Sequence, residues 1–217
     1  MRRLWIKEFR LAASPLSYLF LIAACMTLLP GYPILMGAFF ICLGLFQSFQ
    51  NAREANDTLY TVLLPVRKTD FVRAKYAFVC TIQGIGFLLC AALTAVRMTV
   101  LSGGTAYVEN ALMNPSPVYL AAVLLIFAAF NVLFVGGFFR TAYKMGAPFL
   151  MFGIAALLLI TIAEALHHFP GLGFLNTTQG ERLGLQFYIL LAAAAVYGIL
   201  TLLSCHSSRK RFERIDL

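Results

Sequence analysis

The sequence predicts an all-α, polytopic membrane protein, with six transmembrane helices preceded by an N-terminal amphipathic interfacial helix in a single transmembrane domain over residues 1–217. Three observations lead there. Hydrophobic residues make up 61% of the chain and charged residues 12%, with a mean hydropathy of +0.84, a balance unlike that of a soluble domain. The apolar residues fall in runs close to the ~20 that cross a bilayer as a helix. The charged residues gather in the short segments between those runs. Of 17 Lys and Arg, only Arg97 and Arg182 lie on one side of the resulting zigzag. Positive charge is retained in the cytoplasm during insertion, so both termini and the segments 51–76 and 140–146 are placed there. This topology, together with anionic headgroups, accounts for the net charge of +8, so membrane lipid is an expected partner and nucleic acid is not.

In chain order, Met1 to Ala13 forms a helix with Arg3, Lys7 and Arg10 on one stripe and Trp5, Phe9 and Ala12 on the other, suited to a headgroup layer. The basic start before an apolar run is read as the entry to an uncleaved span. The first span covers 15–29 and ends at Pro30-Gly31-Tyr32-Pro33, a turn. The second covers 34–50, with Gln47 and Gln50 at its inner end. The third, 77–96, carries Gln83 and is closed by Arg97. The fourth, 118–139, holds Asn131 and Gly136-Gly137. The fifth covers 147–166 and reaches Glu164, and the sixth covers 185–205 before a basic tail. Gln83 and Asn131 suit hydrogen bonding between helices. Small residues such as Ala91, Ala95, Gly136 and Gly137 permit close helix contact. Arg97 and Glu164 each end an outward-running span and form a possible charge pair at one depth.

The longest charged interruption is Asn51 to Tyr76, NAREANDTLYTVLLPVRKTDFVRAKY. Its ionisable groups exclude it from a bilayer core. The apolar run Thr58 to Leu64 is stopped by Pro65, and Thr69 or Asp70 can cap a following helix, giving helix, proline break, helix. Glu54, the run into Leu63-Leu64-Pro65-Val66-Arg67-Lys68, and then Val72 and Ala74-Lys75-Tyr76 at the mouth of a span, resemble the first cytoplasmic loop of small bacterial ABC transporter permeases of the type-2 exporter (ABC-2) class. The resemblance implies a permease subunit of an ATP-driven exporter in the bacterial cytoplasmic (inner) membrane. It implies a cytoplasmic ABC ATPase subunit as partner and a second permease copy, as a homodimer or a paralogous heterodimer. It also implies that a helix from about Glu54 to Leu64 seats on the ATPase. Leu59, Tyr60 and Leu63 would be its anchors, Glu54 a polar contact and Arg67 a rim charge. Pro65 would set the angle of a lever. Residues 167–184 could hold short re-entrant helices.

No phosphate loop G-x-x-x-x-G-K-[ST], G-x-S-x-G elbow or H-E-x-x-H helix occurs in the sequence. No catalytic, cofactor-binding or metal set is therefore expected in this chain, and ATP and Mg would be bound by the partner. His167-His168 near Glu164 is read as an interfacial loop. The five cysteines, in or at the ends of apolar runs without C-x-x-C, are read as inert thiols. The competing functional readings are a non-transporting scaffold or sensor subunit and an ATP-independent carrier. The second is disfavoured by the lack of an ionisable residue at the membrane centre.

Overall fold

Two Ser-Pro steps in the sequence each start a helix, with serine as cap and proline, which needs no N–H donor, in the first turn. Ser14 accepts from Leu16 N and Ser116 from Tyr119 N. The computed structural model describes residues 2–101, 103–104, 110–141, 144–178 and 182–215, and among these residues every regular element is helical. α1 spans Arg2–Lys7 and runs into a π-helical turn, Glu8–Ala12. α2 begins at Pro15–Leu19 and continues as 3-10 helix over Phe20–Leu28, bent 91° from α1. α3 is Met36–Glu54, α4 Asp57–Leu63 and α5 Lys68–Thr99. α6 is Pro117–Thr141 with a π-helical turn at Phe130–Val135, α7 Gly146–Leu166 and α8 Leu183–Glu213.

By length and composition, α5, α6, α7 and α8 can cross a membrane, and the bent pair α1–α2 adds a fifth if taken as one span. The second span read from the sequence, 34–50, does not meet that measure. It corresponds to α3, whose last turns carry Gln47, Gln50, Asn51, Arg53 and Glu54. The helix ends also move. α5 starts at Lys68, with Arg67 at its cap position and no side-chain cap from Thr69 or Asp70, and α8 runs on through the basic tail to Glu213. Phe212 in that tail is fully buried against Phe71 and Phe139, and Lys68 Nζ donates to Ile215 O at 2.6 Å. Between α7 and α8 a short 3-10 turn, Gly173–Asn176, folds back on the opposite end. There Asn176 accepts from Asn114 N at 2.6 Å, and Gln186 donates to Phe174 O.

The core is largely phenylalanine. Phe46, Phe49, Phe130, Phe134, Phe149 and Phe152 from α3, α6 and α7 contact one another edge-on or stacked, at centroid distances of 4.0 to 5.9 Å. Lipid is as apolar as these rings, so close packing and polar bonds must hold the helices together. Serines clasp α2 to α3: Ser14 N donates to Ser48 Oγ at 2.9 Å, Ser17 and Ser48 hydroxyls lie 2.6 Å apart, and Ser17 Oγ donates to Gly44 O.

Gly136 and Gly137 make close approaches within the chain. A Cβ on Gly136 would lie 2.8 Å from Ser204 Oγ of α8, and one on Gly137 2.8 Å from Pro148 Cβ of α7. Gly137→Leu should therefore lower the thermal midpoint in detergent, since overpacking costs about 1 to 3 kcal/mol. Gly84→Ala has open space around the new methyl and should leave the midpoint unchanged or slightly raised.

Candidate functional site

α4 is short because both its ends are broken by the local sequence. Asn56 adopts the left-handed region at φ 50°, which asparagine tolerates better than most residues. At the other end Leu64, preceding Pro65, turns extended at ψ 157°. The docking helix read as starting near Glu54 therefore starts at Asp57, and Glu54 is the exposed last residue of α3. Pro65 and Arg67 are exposed in the linker to α5.

The orientation of α4 is the reverse of an ordinary surface helix. Leu59, Tyr60 and Leu63 lie on its outer side with 47%, 65% and 75% of their surface exposed, and Leu64 follows them. Asp57 and Thr61, one turn apart, face the protein. Thr61 is buried, and no described α4 side chain joins the hydrophobic core.

The inner face of α4 rests on charge. Lys7 Nζ stands 2.6 Å from Asp57 Oδ1 and donates to Asp57 Oδ2 at 2.8 Å and to Thr61 Oγ1 at 2.7 Å. Lys75 Nζ of α5 lies 2.5 Å from Glu8 Oε2 and 3.7 Å from Asp57 Oδ2, and Lys7 is 3.4 Å from Glu8 Oε1. Lys75 is 2% exposed and Glu8 not at all. Phe71 lies beneath both ammonium groups, 5.4 Å from Lys7 and 5.7 Å from Lys75, with Phe49 5.6 Å from Lys75. Two cations and two anions from three elements thus close a neutral group. Lys7 does not lie free on the basic stripe expected at the headgroups, because its partners are on the protein side. Ala12 is buried and Phe9 packs on Phe78 at 4.9 Å, while Trp5 and Leu11 face outward.

At the opposite end, Arg97 and Glu164 are not joined. Arg97 donates to Thr27 O at 2.7 Å and to Asn114 Oδ1 at 3.2 Å, whereas Glu164 Oε2 accepts from Met113 N at 2.8 Å. Both secure the segment Met113–Asn114, and no ion pair links them among the described residues. The His167 and His168 rings lie 4.0 Å apart, tilted by 37°, and His167 Nε2 lies 3.4 Å from Ala111 O. An apolar cavity of about 330 Å³ opens nearby between α6, α7 and α8, lined by Val118, Leu125, Leu159, Leu175 and Ile189.

A family model described as ABC-2 family transporter protein matches residues 3–213. The chain belongs to the ABC-2 transporter family. No curated protein and no solved structure is significantly similar to it. It is thus an ABC-2 type permease, a multi-pass membrane component of transport.

Within the spans of this permease, a second polar group ties α5, α6 and α8 together. Gln83 and Asn131 exchange amide hydrogen bonds at 3.0 Å each way, Asn131 also donates to Thr201 at 3.0 Å, and Tyr197 OH donates to Gln83 Oε1 at 2.9 Å. Asn131 O, which accepts from Gly136 N in the π turn, also accepts from Ser204 Oγ at 2.8 Å, and the Tyr76 hydroxyl bridges Ser204 and Ser208. Gln83 and Asn131 act as glue between helices. The sequence marked them but not Tyr76, Tyr197 or the serines. Asn131→Leu should destabilise the permease by about 1 to 2 kcal/mol. The double variant Gln83→Leu/Asn131→Leu should cost less than the sum of the two single variants, as a double-mutant cycle of unfolding in detergent would record.

Proposed function

We propose that this chain is the membrane-spanning subunit of an ATP-driven ABC exporter and that a separate cytoplasmic ATPase docks on the outer face of α4. One observation carries the reading: α4 leaves Leu59, Tyr60 and Leu63 exposed while its polar side faces the protein. Withdrawing such side chains from water is worth about 1.5 to 3 kcal/mol each, so the exposed face suits a partner surface. Glu54 and Arg67, exposed on either side of α4, would form a polar rim. ATP and Mg would be bound by the partner.

The basic end, with α4, Lys68 and the tail of α8, is the cytoplasmic one in this reading, and the permease sits in the bacterial inner membrane with six spans counting α3. α1 lies along the headgroups, and a second permease copy, identical or paralogous, completes the path.

Leu63→Asp should abolish co-purification of the ATPase with the tagged permease, since truncating a buried apolar anchor alone typically costs about 2 kcal/mol or more. Arg67→Ala should mainly alter the salt dependence of association. Normal ATPase recovery with correctly inserted Leu63→Asp would remove α4 as the docking element.

A further inference from the structure

Apart from the turn Ala55–Asn56 that joins it to α3, α4 reaches the rest of the chain in two ways. One is the backbone of the linker Leu64–Arg67, which has no side-chain hydrogen bond among the described residues. The other is its inner side chains, whose described bonds outside α4 all run to Lys7 or Lys75. Asp57 is the only ionised group that α4 contributes to the buried cluster. α1 contributes Lys7 and Glu8, and α5 contributes Lys75. Without Asp57 the remaining three groups carry one uncompensated positive charge beside the buried Glu8 and Lys75. A buried charge left without its partner is strongly disfavoured, so a displaced α4 is drawn back, and a pull on α4 is felt at Lys75.

We propose that Asp57 is a positioning residue, the pin that holds α4 to α5, and that load on α4 enters the membrane helices through the Asp57–Lys75–Glu8 contacts, with the proline linker serving only as slack chain. Lys75 suits that role because the next residue on α5, Tyr76, bonds Ser204 and Ser208 of α8, so a shift of α5 at this level is shared with a second long helix. The inference rests on α4 being the docking element, but its structural half can be tested without the ATPase.

Spin labels would be placed at Thr58→Cys on α4, half-buried and outside the apolar anchors, and at Ala77→Cys on α5, exposed, in a chain whose native cysteines are replaced, and the label-to-label distance measured in lipid nanodiscs. The parent should give one narrow distribution. Asp57→Asn should broaden it, and Asp57→Glu should keep it narrow. Because a lone buried cation could unfold the protein, the decisive variant is Lys7→Met/Asp57→Asn. It leaves Lys75 and Glu8 as a neutral pair, so it should melt near the parent temperature and still give a broad distribution. A narrow distribution in that variant, or broadening only when Pro65→Gly loosens the linker, would overturn the pin. With the ATPase added, the same double variant should retain binding through its intact apolar face yet lose any nucleotide-dependent change in the α4–α5 distance that the parent shows. Retention of that change would also overturn it. Failure of Leu63→Asp to affect ATPase binding would instead remove the docking reading and leave the distance result standing.

Discussion

Four charges meet in this fold, those of Glu8 and Lys75 almost wholly out of water and those of Lys7 and Asp57 partly so, because they sum to zero and come from elements that must all be present. The idealised cost of moving one such ion to a low-dielectric site is of order 20 kcal/mol. Glu8 and Lys75 are almost wholly buried, so each makes the placement of the other elements obligatory. α1 has to fold back across the bend at Ala13–Ser14 to bring Lys7 and Glu8 in, and α5 has to extend well beyond its apolar stretch to bring Lys75 up. α4 has to turn its polar side inward to deliver Asp57. The outward apolar face is then a geometric result, since a seven-residue helix has only two sides to offer.

Both buried polar groups are built on a π turn. In the first, Ala13 N donates to Glu8 O, and in the second Gly136 N donates to Asn131 O. A π turn inserts a residue into the helical register and opens the backbone locally, a feature often found at functional positions. Here each turn carries one buried polar side chain, Glu8 in the first and Asn131 in the second. α5 links the two groups through the adjacent residues Lys75 and Tyr76, so the ionic contacts and the hydroxyl contacts share one helix.

Much of the architecture was legible in the sequence because bilayer thickness leaves few ways to arrange long apolar runs. The starts of α2, α6 and α7 fall within two residues of the apolar boundaries. The failures are where a local or tertiary term outweighs hydropathy. Hydropathy extends the docking helix back to Glu54 because it cannot register the left-handed turn at Asn56. A helical wheel puts Lys7 in water because a lysine stripe is usually solvated, and Glu8, a lone acid among basic residues, gives no periodic signal. Arg97 and Glu164 look complementary at matching depths, yet backbone and amide groups of the outer segments lie closer and bond Arg97 and one oxygen of Glu164 instead. Gly136 and Gly137 signal close contact correctly, but not whether the neighbour lies in the same chain. The apolar side of α4 was legible in full, since Leu59, Tyr60 and Leu63 follow helical spacing.

The seat of Phe212 between Phe71 and Phe139 bears on the order of biogenesis. Phe212 lies beyond the apolar part of α8, so it leaves the ribosome only after all the preceding helices have been made. Until then the gap between α5 and α6 at the basic end has no aromatic plug, and Lys68 has no Ile215 carbonyl to bond. Closure of the bundle at this end therefore waits for the last turns of α8, and a chain that stops at its last apolar residue lacks both contacts.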